Sequence, residues 1–417
     1  MNNPLKYFIP SLLMLFAFSA FSQGDKWWNE YHYFGSKSTN KSSLWGSFDY
    51  QLKSNRLSNK ILNEAIFDGR IMKETADQFS SENSNSTTYL SGGIMGDLWF
   101  RTNRKGAWNF LFGFGANDML YSSLKTGLGQ IYLNGNGPYE DQELQLGPSR
   151  LNYLSYQSLG FGLEYTNEKF TWGVSTQLIK TSRYQELRMN SSTFYTAPNG
   201  AYLDTSLDFE YYSSASSQPK SSAWYGTGAS VNTYFVYQNK PDGAMLSVQL
   251  SDVGFTTFKG VNGYAITKDS LFSGVEINNI LELDDALQTN ADLDSIEAIL
   301  GLTTSHNSRS IALPGRLRID FVHPINEKLS LAISARQALF LGLPEFRLGM
   351  NFIASRFIAF EPHLSFAGFS RFDYGLAVSS NPADFLQIII KYDLIESQLN
   401  ASNSTSQALY LGGQLLF

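Results

Sequence analysis

Four arginines and one aspartate towards the C-terminal end of this chain could attract ions or form ion pairs through their charges. Arg316, Arg318 and Asp320 alternate with apolar residues, and Arg336 and Arg347 occupy similar positions in the next two alternating runs. Residues two apart in a strand share one face, so we expect all five side chains to line one wall. Such a wall inside a pore would draw anions. The arginines could equally pair with neighbouring acids and rigidify a closed structure, and the sequence leaves both interpretations open.

The rest of the chain gives weak support to catalysis. The four histidines lack metal-ligand spacing, and His323 and His363 each adjoin a proline, which favours a structural role. The absence of cysteine excludes a thiol nucleophile and a Cys-ligated metal. The acids between Leu281 and Leu302 lack the order of a calcium loop, and the glycine pairs lack the strand-then-helix context of a phosphate loop. We therefore predict no enzyme, no cofactor and no metal site.

The elements that would position the arginines are antiparallel strands. From Arg309 to Phe417, apolar and polar residues alternate in what we interpret as six consecutive strands. In a transmembrane β-barrel one face of each strand meets lipid and the other faces a polar lumen. A soluble antiparallel sandwich with one wet face is the alternative. The expected lipid face of the first two strands carries Leu317, Ile319, Phe321, Leu329, Leu331 and Ile333.

The N-terminus favours the barrel, because it has the form of an export signal. Lys6 precedes an apolar run from Tyr7 to Phe18, and Ala20-Phe21-Ser22 fits a cleavage site. Later apolar stretches fall short of the ~18 residues that a spanning helix needs. We predict a signal peptide at 1–22, a lead-in or plug segment at 23–43 and an outer-membrane barrel at 44–417.

The composition agrees with a membrane barrel. Charged residues make up 16% of the chain, compared with ~25% in an average soluble domain, while 15% of the residues are aromatic. Tyr, Trp and Phe supply the belts that barrels place at the two membrane interfaces. The net charge of -6 argues against nucleic acid as a partner, since nucleic-acid binding needs a basic face.

Periodicity along the chain predicts an all-β fold, a single transmembrane antiparallel β-barrel of about 14 strands, within a range of 12–16, with short helical insertions. A hairpin at Leu151–Thr166 and Phe170–Arg183 turns within three residues, as barrels do at the periplasmic end. Helical spacing predicts one helix at Ser58–Phe67 and another in the acidic insertion 281–302. The polar stretch from Ser123 to Pro148 is predicted to be irregular.

The last residues predict how the barrel reaches its membrane. Gly412, Leu415 and Phe417 resemble the C-terminal signal by which outer-membrane barrels are recognised for insertion. We therefore expect the cell outer membrane of a Gram-negative bacterium as the location. The expected partners are outer-membrane lipid, the barrel assembly machinery during biogenesis, and a secretion or envelope protein.

Strand and turn motifs carry a resemblance to a known family. These motifs are Leu159-Gly160-Phe161-Gly162, Trp172-Gly173-Val174, Leu250-Ser251-Asp252-Val253-Gly254-Phe255 and Leu313-Pro314-Gly315. With them the chain resembles the DUF5723 family of Bacteroidota barrels, which is similar to the FadL and PorV types. The resemblance implies a barrel over roughly 44–417, with no catalytic motif.

Two functions remain open at this point. The first is FadL-like transport of a hydrophobic or small solute, and the second is a non-conducting accessory barrel that binds a partner complex, as PorV does in type IX secretion. An aromatic-lined cavity in the lumen would favour transport. A lumen filled by pairs of arginines and acids, with an exposed apolar patch on a loop, would favour the accessory barrel.

Overall fold

The computed structural model describes most of the chain beyond the predicted signal segment. The predicted signal peptide, nearly all of the lead-in segment and the predicted helix at 281–302 lie outside the described residues. The described residues are 42–68, 70–102, 106–214, 224–238, 243–272, 303–339, 343–355, 357–369, 372–383, 385–393 and 404–417.

The described residues form one antiparallel sheet and a few short helices. The helices are α1 (Asn59–Asn63), which continues into a π turn at Glu64–Asp68, α2 (Lys73–Ser80) and α3 (Thr126–Asn134). None of the described helices has the length and apolar composition to cross a membrane. The strands are β1 (Ser43–Ser54), β2 (Thr87–Arg101), β3 (Trp108–Lys125), β4 (Gln142–Gln145), β5 (Ser149–Thr166), β6 (Phe170–Met189), β7 (Thr193–Thr196), β8 (Leu203–Ser213), β9 (Gly226–Gln238), β10 (Met245–Phe272), β11 (Thr303–Ala312), β12 (Arg316–Asn326), β13 (Leu329–Ala338), β14 (Leu343–Ile353), β15 (Ile358–Ala367), β16 (Phe372–Ala383), β17 (Leu386–Tyr392) and β18 (Ser406–Leu416).

The sheet closes into a barrel, as predicted. The first strand β1 pairs with β2 on one side and with the last strand β18 on the other, antiparallel in both cases. The barrel has 14 strands. Short turns such as 167–169 lie at one end, called the turn end, and long connections lie at the other, called the loop end.

The four remaining strands, β4, β7, β8 and β11, extend the wall at the loop end. β8 pairs with both β6 and β10 on the loop-end side of Gly226, where β9 begins, so it fills the gap between these two long strands. β11 and β12 both pair with β10, one after the other along its length, and Leu313-Pro314-Gly315 forms the break between them. The wall is therefore taller on this side of the barrel.

Side chains alternate between lipid and lumen as the sequence predicts. Ile319, Phe321 and Ile333 are exposed on the outer face, while Asp320 and Ser334 on the same strands are buried inside. An apolar outer belt around a closed barrel of strands is the arrangement of a transmembrane β-barrel rather than of a soluble sandwich.

The structure corrects three predictions of local structure. The C-terminal part contributes seven barrel strands, β12 to β18, rather than six. The stretch predicted to be irregular contains α3 and β4. The alternation in the sequence predicts a strand from Ala244 to Phe258, but this strand runs on to Phe272, because β8 and β11 supply hydrogen-bonding neighbours beyond Phe258.

The helix predicted at Ser58–Phe67 is confirmed. Ser58 caps α1, and its hydroxyl oxygen accepts a hydrogen bond from the Ile61 N–H at 3.4 Å. Ile61 and Leu62 are buried, which explains the apolar spacing in the sequence.

A lysine at the middle of the lipid face should be costly. Leu348 is the central residue of β14 and is 43% exposed on the outer face. We expect Leu348→Lys to lower the free energy of unfolding by about 2–4 kcal/mol, because the ammonium would sit near the bilayer midplane. Urea unfolding in lipid vesicles measures the loss. The control is Ile325→Lys near the turn end of β12, which should cost about 1 kcal/mol or less. Equal losses in the two variants would contradict the membrane placement.

Candidate functional site

The lumen is filled by apolar side chains at the turn end. Eight buried side chains from seven strands, on different sides of the barrel, meet there, and we call them the turn-end cluster. Large side chains from opposite walls in mutual contact leave little room for solute. The cluster comprises Trp45, Trp99, Leu111, Tyr234, Val236, Met245, Ala332 and Ile389.

Glycines on the lumen wall let the aromatic rings of this cluster lie flat. A Cβ at Gly113 would lie 2.3 Å from the Trp99 ring, and one at Gly160 would lie 2.5 Å from it. A Cβ at Gly173 would lie 2.4 Å from the Tyr234 ring. These glycines therefore have a packing role.

A second apolar cluster fills the loop half of the lumen. The rings of Tyr121 on β3 and Phe369, which follows β15, lie 6.0 Å apart, so this contact crosses the barrel. The loop-end cluster comprises Met95, Met119, Tyr121, Leu154, Tyr156, Ile179, Tyr184, Phe258, Val261, Leu313 and Phe369.

Polar contacts also cross the lumen. Lys53 on β1 donates to Glu345 on β14 at 2.9 Å, although β18, β17, β16 and β15 lie between these strands along the wall. Arg316 on β12 donates to Asp252 on the neighbouring strand at 2.7 Å, and its other terminal nitrogen lies 2.9 Å from the sulfur of Met95 on β2. These contacts tie opposite walls together.

A chamber of about 190 Å³ lies among these contacts. It extends along β1 between the two clusters, and its wall is rich in charged side chains. A smaller cavity of about 20 Å³ shares Gln249, Ser251 and Arg316 with it. The charged residues of the larger chamber are Asp49, Lys53, Arg316, Arg318, Arg336, Glu345, Lys391 and Asp393.

All five residues singled out in the sequence lie on three adjacent strands and are at least partly buried. Arg316, Arg318 and Arg336 line the chamber. Arg318 donates from Nε to both oxygens of Asp320, at 2.9 Å each, and Asp320 is 1% exposed. Arg347 is 2% exposed and donates to Glu361, which does not line the chamber. Their role in drawing anions stays a prediction.

Arg347 belongs to a buried network that the sequence did not reveal. It donates to Glu361 at 2.7 Å and to Nδ1 of His363 at 3.0 Å. The Nε2 atom of His363 lies 2.6 Å from Asp393, which also pairs with Lys391 at 3.2 Å. Because both ring nitrogens of His363 are engaged, the imidazole has a structural role here. Proline next to a histidine is too weak a signal to predict such a network.

A second buried network surrounds Glu164 at the turn end. Its carboxylate accepts hydrogen bonds from Arg101 at 2.5 Å, Asn109 at 3.1 Å, Tyr234 at 2.5 Å and Thr166 at 3.3 Å. Glu164 is 1% exposed. The network joins β2, β3, β5 and β9 just below the turn-end cluster.

The residues predicted to form the insertion signal lie in β18 and at its end. Leu415 and Phe417 are 40% and 64% exposed on the outer face. Gly412 faces the lumen, where a Cβ would lie 2.8 Å from the Trp45 ring. Recognition of these residues during insertion stays a prediction.

The Lys53 to Glu345 contact predicts a coupled effect on stability. We expect Lys53→Met to lower the free energy of unfolding by about 1.5–3 kcal/mol, because it leaves the Glu345 carboxylate buried without its charged donor. The double variant Lys53→Met, Glu345→Gln should recover most of that loss. Urea unfolding of the wild type, both single variants and the double variant tests the coupling. Additive losses would mean that the contact does not bridge the lumen.

The fold and the lumen define a transmembrane β-barrel whose own side chains fill much of its interior. The chain belongs to the DUF5723 family, described as a family of unknown function, whose model matches residues 43–391. This confirms the resemblance carried by the strand motifs. No curated protein matches the chain.

Several solved barrels are similar in overall structure. The toluene transporter TodX of P. putida is 11% identical, with a TM-score of 0.41, over 92% of this chain and 89% of that chain. The toluene transporter TbuX of Ralstonia pickettii is 10% identical, with a TM-score of 0.40, over 90% and 88%. A Pseudomonas aeruginosa FadL homologue is 10% identical, with a TM-score of 0.41, over 90% of both chains. None of these likenesses carries an activity to this chain.

Proposed function

We propose that the protein is an outer-membrane β-barrel that keeps its lumen closed and works as a structural or accessory barrel. The single observation that carries this proposal is the set of contacts across the lumen, in which Lys53 bonds Glu345 and Arg316 reaches Met95. An open pore needs a continuous water-filled path, and these contacts lie where that path would run. The apolar outer belt supports the membrane location.

The pairing of the lumen charges supports the accessory role over free diffusion of solute. Arg318 and Arg347 each bond an acid, as Arg316 does. Buried ion pairs of this kind favour one rigid arrangement of the wall. The partner of such a barrel would be a secretion or envelope protein, in addition to lipid and the assembly machinery.

Transport is a second candidate, and one observation favours it. The chamber of about 190 Å³ carries charges of both signs. A solute held there would be small and polar, and its passage would require the lumen contacts to break. The charged wall fits such a solute better than the hydrophobic one considered from the sequence.

Single-channel recording in a planar bilayer tests the closed lumen. The refolded wild-type chain should be silent. Conductance should appear when Trp45→Ala and Trp99→Ala are combined with Lys53→Met and Glu345→Gln, because the turn-end rings and the contact across the lumen both block the path. The control is Trp108→Ala, which removes an exposed ring from the outer face. A wild-type barrel with steady conductance would overturn the proposal. Anion bias that disappears on substitution of Arg316 and Arg318 would then point to a selective pore.

A further inference from the structure

The outer wall formed by β5, β6, β9 and β10 changes from apolar to polar towards the loop end. Leu159, Leu178 and Phe255 are exposed there, and they belong to one cross-strand row that passes through Ala229. The bilayer hydrocarbon therefore ends on the loop-end side of this row. The next outward-facing row towards the loop end is polar on every strand and comprises Gln157, Lys180, Thr227, Thr257 and Ser310.

The length of β6 agrees with this boundary. Trp172 lies on the outer face near the turn end, where its ring lies 5.6 Å from that of Trp108. Lys180 is the first charged residue that follows Trp172 on β6. A strand needs ~9–11 residues to cross the bilayer, so Lys180 lies at the level of the lipid headgroups. Long connections face the cell exterior in bacterial barrels, which makes this the outer leaflet.

Two basic side chains at this level lie over aromatic rings. The Lys180 ammonium is 5.7 Å from the centre of the Trp224 ring, and Trp224 is 66% exposed. The Arg183 guanidinium is 4.8 Å from the centre of the Tyr153 ring. A cation over an aromatic face keeps its other N–H donors available to an anion.

Lys259 adds a third cation on the same outer face. Phe258 is fully buried on the lumen side of β10, so the exposed residue that follows it points outwards. Lys180 pairs with Thr227, and Thr227 pairs with Thr257, two residues before Lys259. Two strand spacings and two residues put the backbones of the two lysines roughly 12 Å apart. We call Lys180, Arg183, Lys259 and Trp224 the headgroup patch.

The acids of the surrounding strands lie away from the headgroup patch. Glu164 on β5, Glu186 on β6 and Asp252 on β10 are buried on the lumen side, each 5% exposed or less. Asp269 lies near the loop-end tip of β10, beyond the patch. The sequences of β5, β6, β9 and β10 contain no other acid.

One acid on the next strand faces the same side as the patch. Asp118 on β3 pairs with Ser155, which lies opposite Arg183, and its carboxylate accepts a hydrogen bond from Tyr153. Asp118 therefore offsets the charge of Arg183. Lys180 and Lys259 lie on the far side of Arg183 from this acid, so the patch keeps a positive charge.

We propose that the headgroup patch binds a phosphorylated lipid of the outer leaflet, with phosphate oxygens at Lys180, Lys259 and Arg183. Charge-assisted hydrogen bonds from ammonium and guanidinium groups suit phosphate. The occupant is a lipid rather than a free anion, because the exposed apolar row with Leu178 and Phe255 adjoins the patch on its membrane side and would contact the acyl chains. The inference rests on the outer-membrane location in the proposed function and not on a closed lumen.

The test measures lipid binding by the mature protein, folded in an uncharged detergent. The probe is radiolabelled lipid A, which carries two phosphates, and its retention on the immobilised barrel gives a Kd. Monophosphoryl lipid A and phosphatidylcholine serve as comparison lipids, and inorganic phosphate serves as a competitor. We expect saturable binding of lipid A, with monophosphoryl lipid A weaker by about fivefold and phosphatidylcholine weaker still.

Variants of opposite sign test the charges of the patch. Lys180→Gln and Lys259→Gln should each raise the Kd for lipid A about fivefold, and the double variant should raise it roughly 25-fold. Lys180→Arg should retain binding, and Asp118→Asn should lower the Kd by a few-fold, because it removes a repulsive charge. The control is Lys169→Gln, which removes an exposed cation from the 167–169 turn at the other end of the barrel. Circular dichroism verifies that each variant is folded.

Three results would overturn the inference. The first is a Kd for lipid A that the double lysine variant leaves at the wild-type value, and the second is phosphatidylcholine binding as tightly as lipid A. The third is displacement of lipid A by about 10 mM inorganic phosphate, which would mean a site for a free anion. A silent barrel with any of these results would reject this inference alone. A conducting wild-type barrel that binds lipid A through the patch would reject the closed lumen alone.

Discussion

Replacing Glu164 with alanine should lower the free energy of unfolding of the barrel by about 3–5 kcal/mol, because the buried Arg101 guanidinium is left without its carboxylate. Arg101 is 5% exposed and bonds Glu164 at 2.5 Å. Tyr234 and Asn109 should also lose a hydrogen-bond acceptor, because both donate to the same carboxylate. Urea unfolding in lipid vesicles, followed by circular dichroism, measures the effect.

The double variant Arg101→Met, Glu164→Gln is the matched control for this prediction. It removes both charges and keeps an amide oxygen as acceptor for Tyr234, so it should be more stable than Glu164→Ala. If the double variant were as unstable as Glu164→Ala, an unpaired buried guanidinium would not be the cause of the loss and the explanation would fail.

Replacing Trp99 with alanine should cost about 3–5 kcal/mol as well, through the loss of a large buried side chain and the cavity it leaves. Trp99 is 4% exposed and lies over Gly113 and Gly160 in the turn-end cluster. The surrounding rings belong to different strands of a closed wall, so they cannot collapse fully into the space. The same unfolding assay measures the change.

Glycine variants separate ring packing from backbone effects. Gly113→Ala should destabilise the barrel, because its Cβ would meet the Trp99 ring at 2.3 Å. Gly46→Ala is the control on β1, since its Cβ would lie 3.5 Å from Leu98 in ordinary contact. Equal stability of the two variants would show that Trp99 does not lie flat on the wall.

The barrel itself could be predicted from the sequence, because alternation with period two is set locally in each strand. The lipid face around Ile319 and Phe321 and the lumen face of Arg316 and Arg318 both follow from it. The hairpin with its turn at 167–169 could also be predicted, because a short turn fixes the register of its two strands.

Features that depend on closure of the barrel could not be predicted. The Lys53 to Glu345 contact joins residues that are 292 positions apart, and no local pattern signals it. The extension of β10 to Phe272 depends on β8 and β11 as neighbours. Helix α3 contains Gly127 and Gly129, which weaken the local helix signal, and it is stabilised instead by packing.

The accessibility of a single cysteine in the lumen tests the closed barrel most directly, since the natural chain contains no cysteine. Ser251 lines both cavities and is 8% exposed, while Ser81 and Ser355 are exposed at the loop end and the turn end. Each is replaced by cysteine, and the folded barrel in detergent, where both ends are accessible, is treated with a charged thiol reagent. A closed lumen predicts rapid labelling at Ser81 and Ser355 and labelling of Ser251 that is slower by orders of magnitude. Labelling of Ser251 as fast as the two exposed positions would contradict the account.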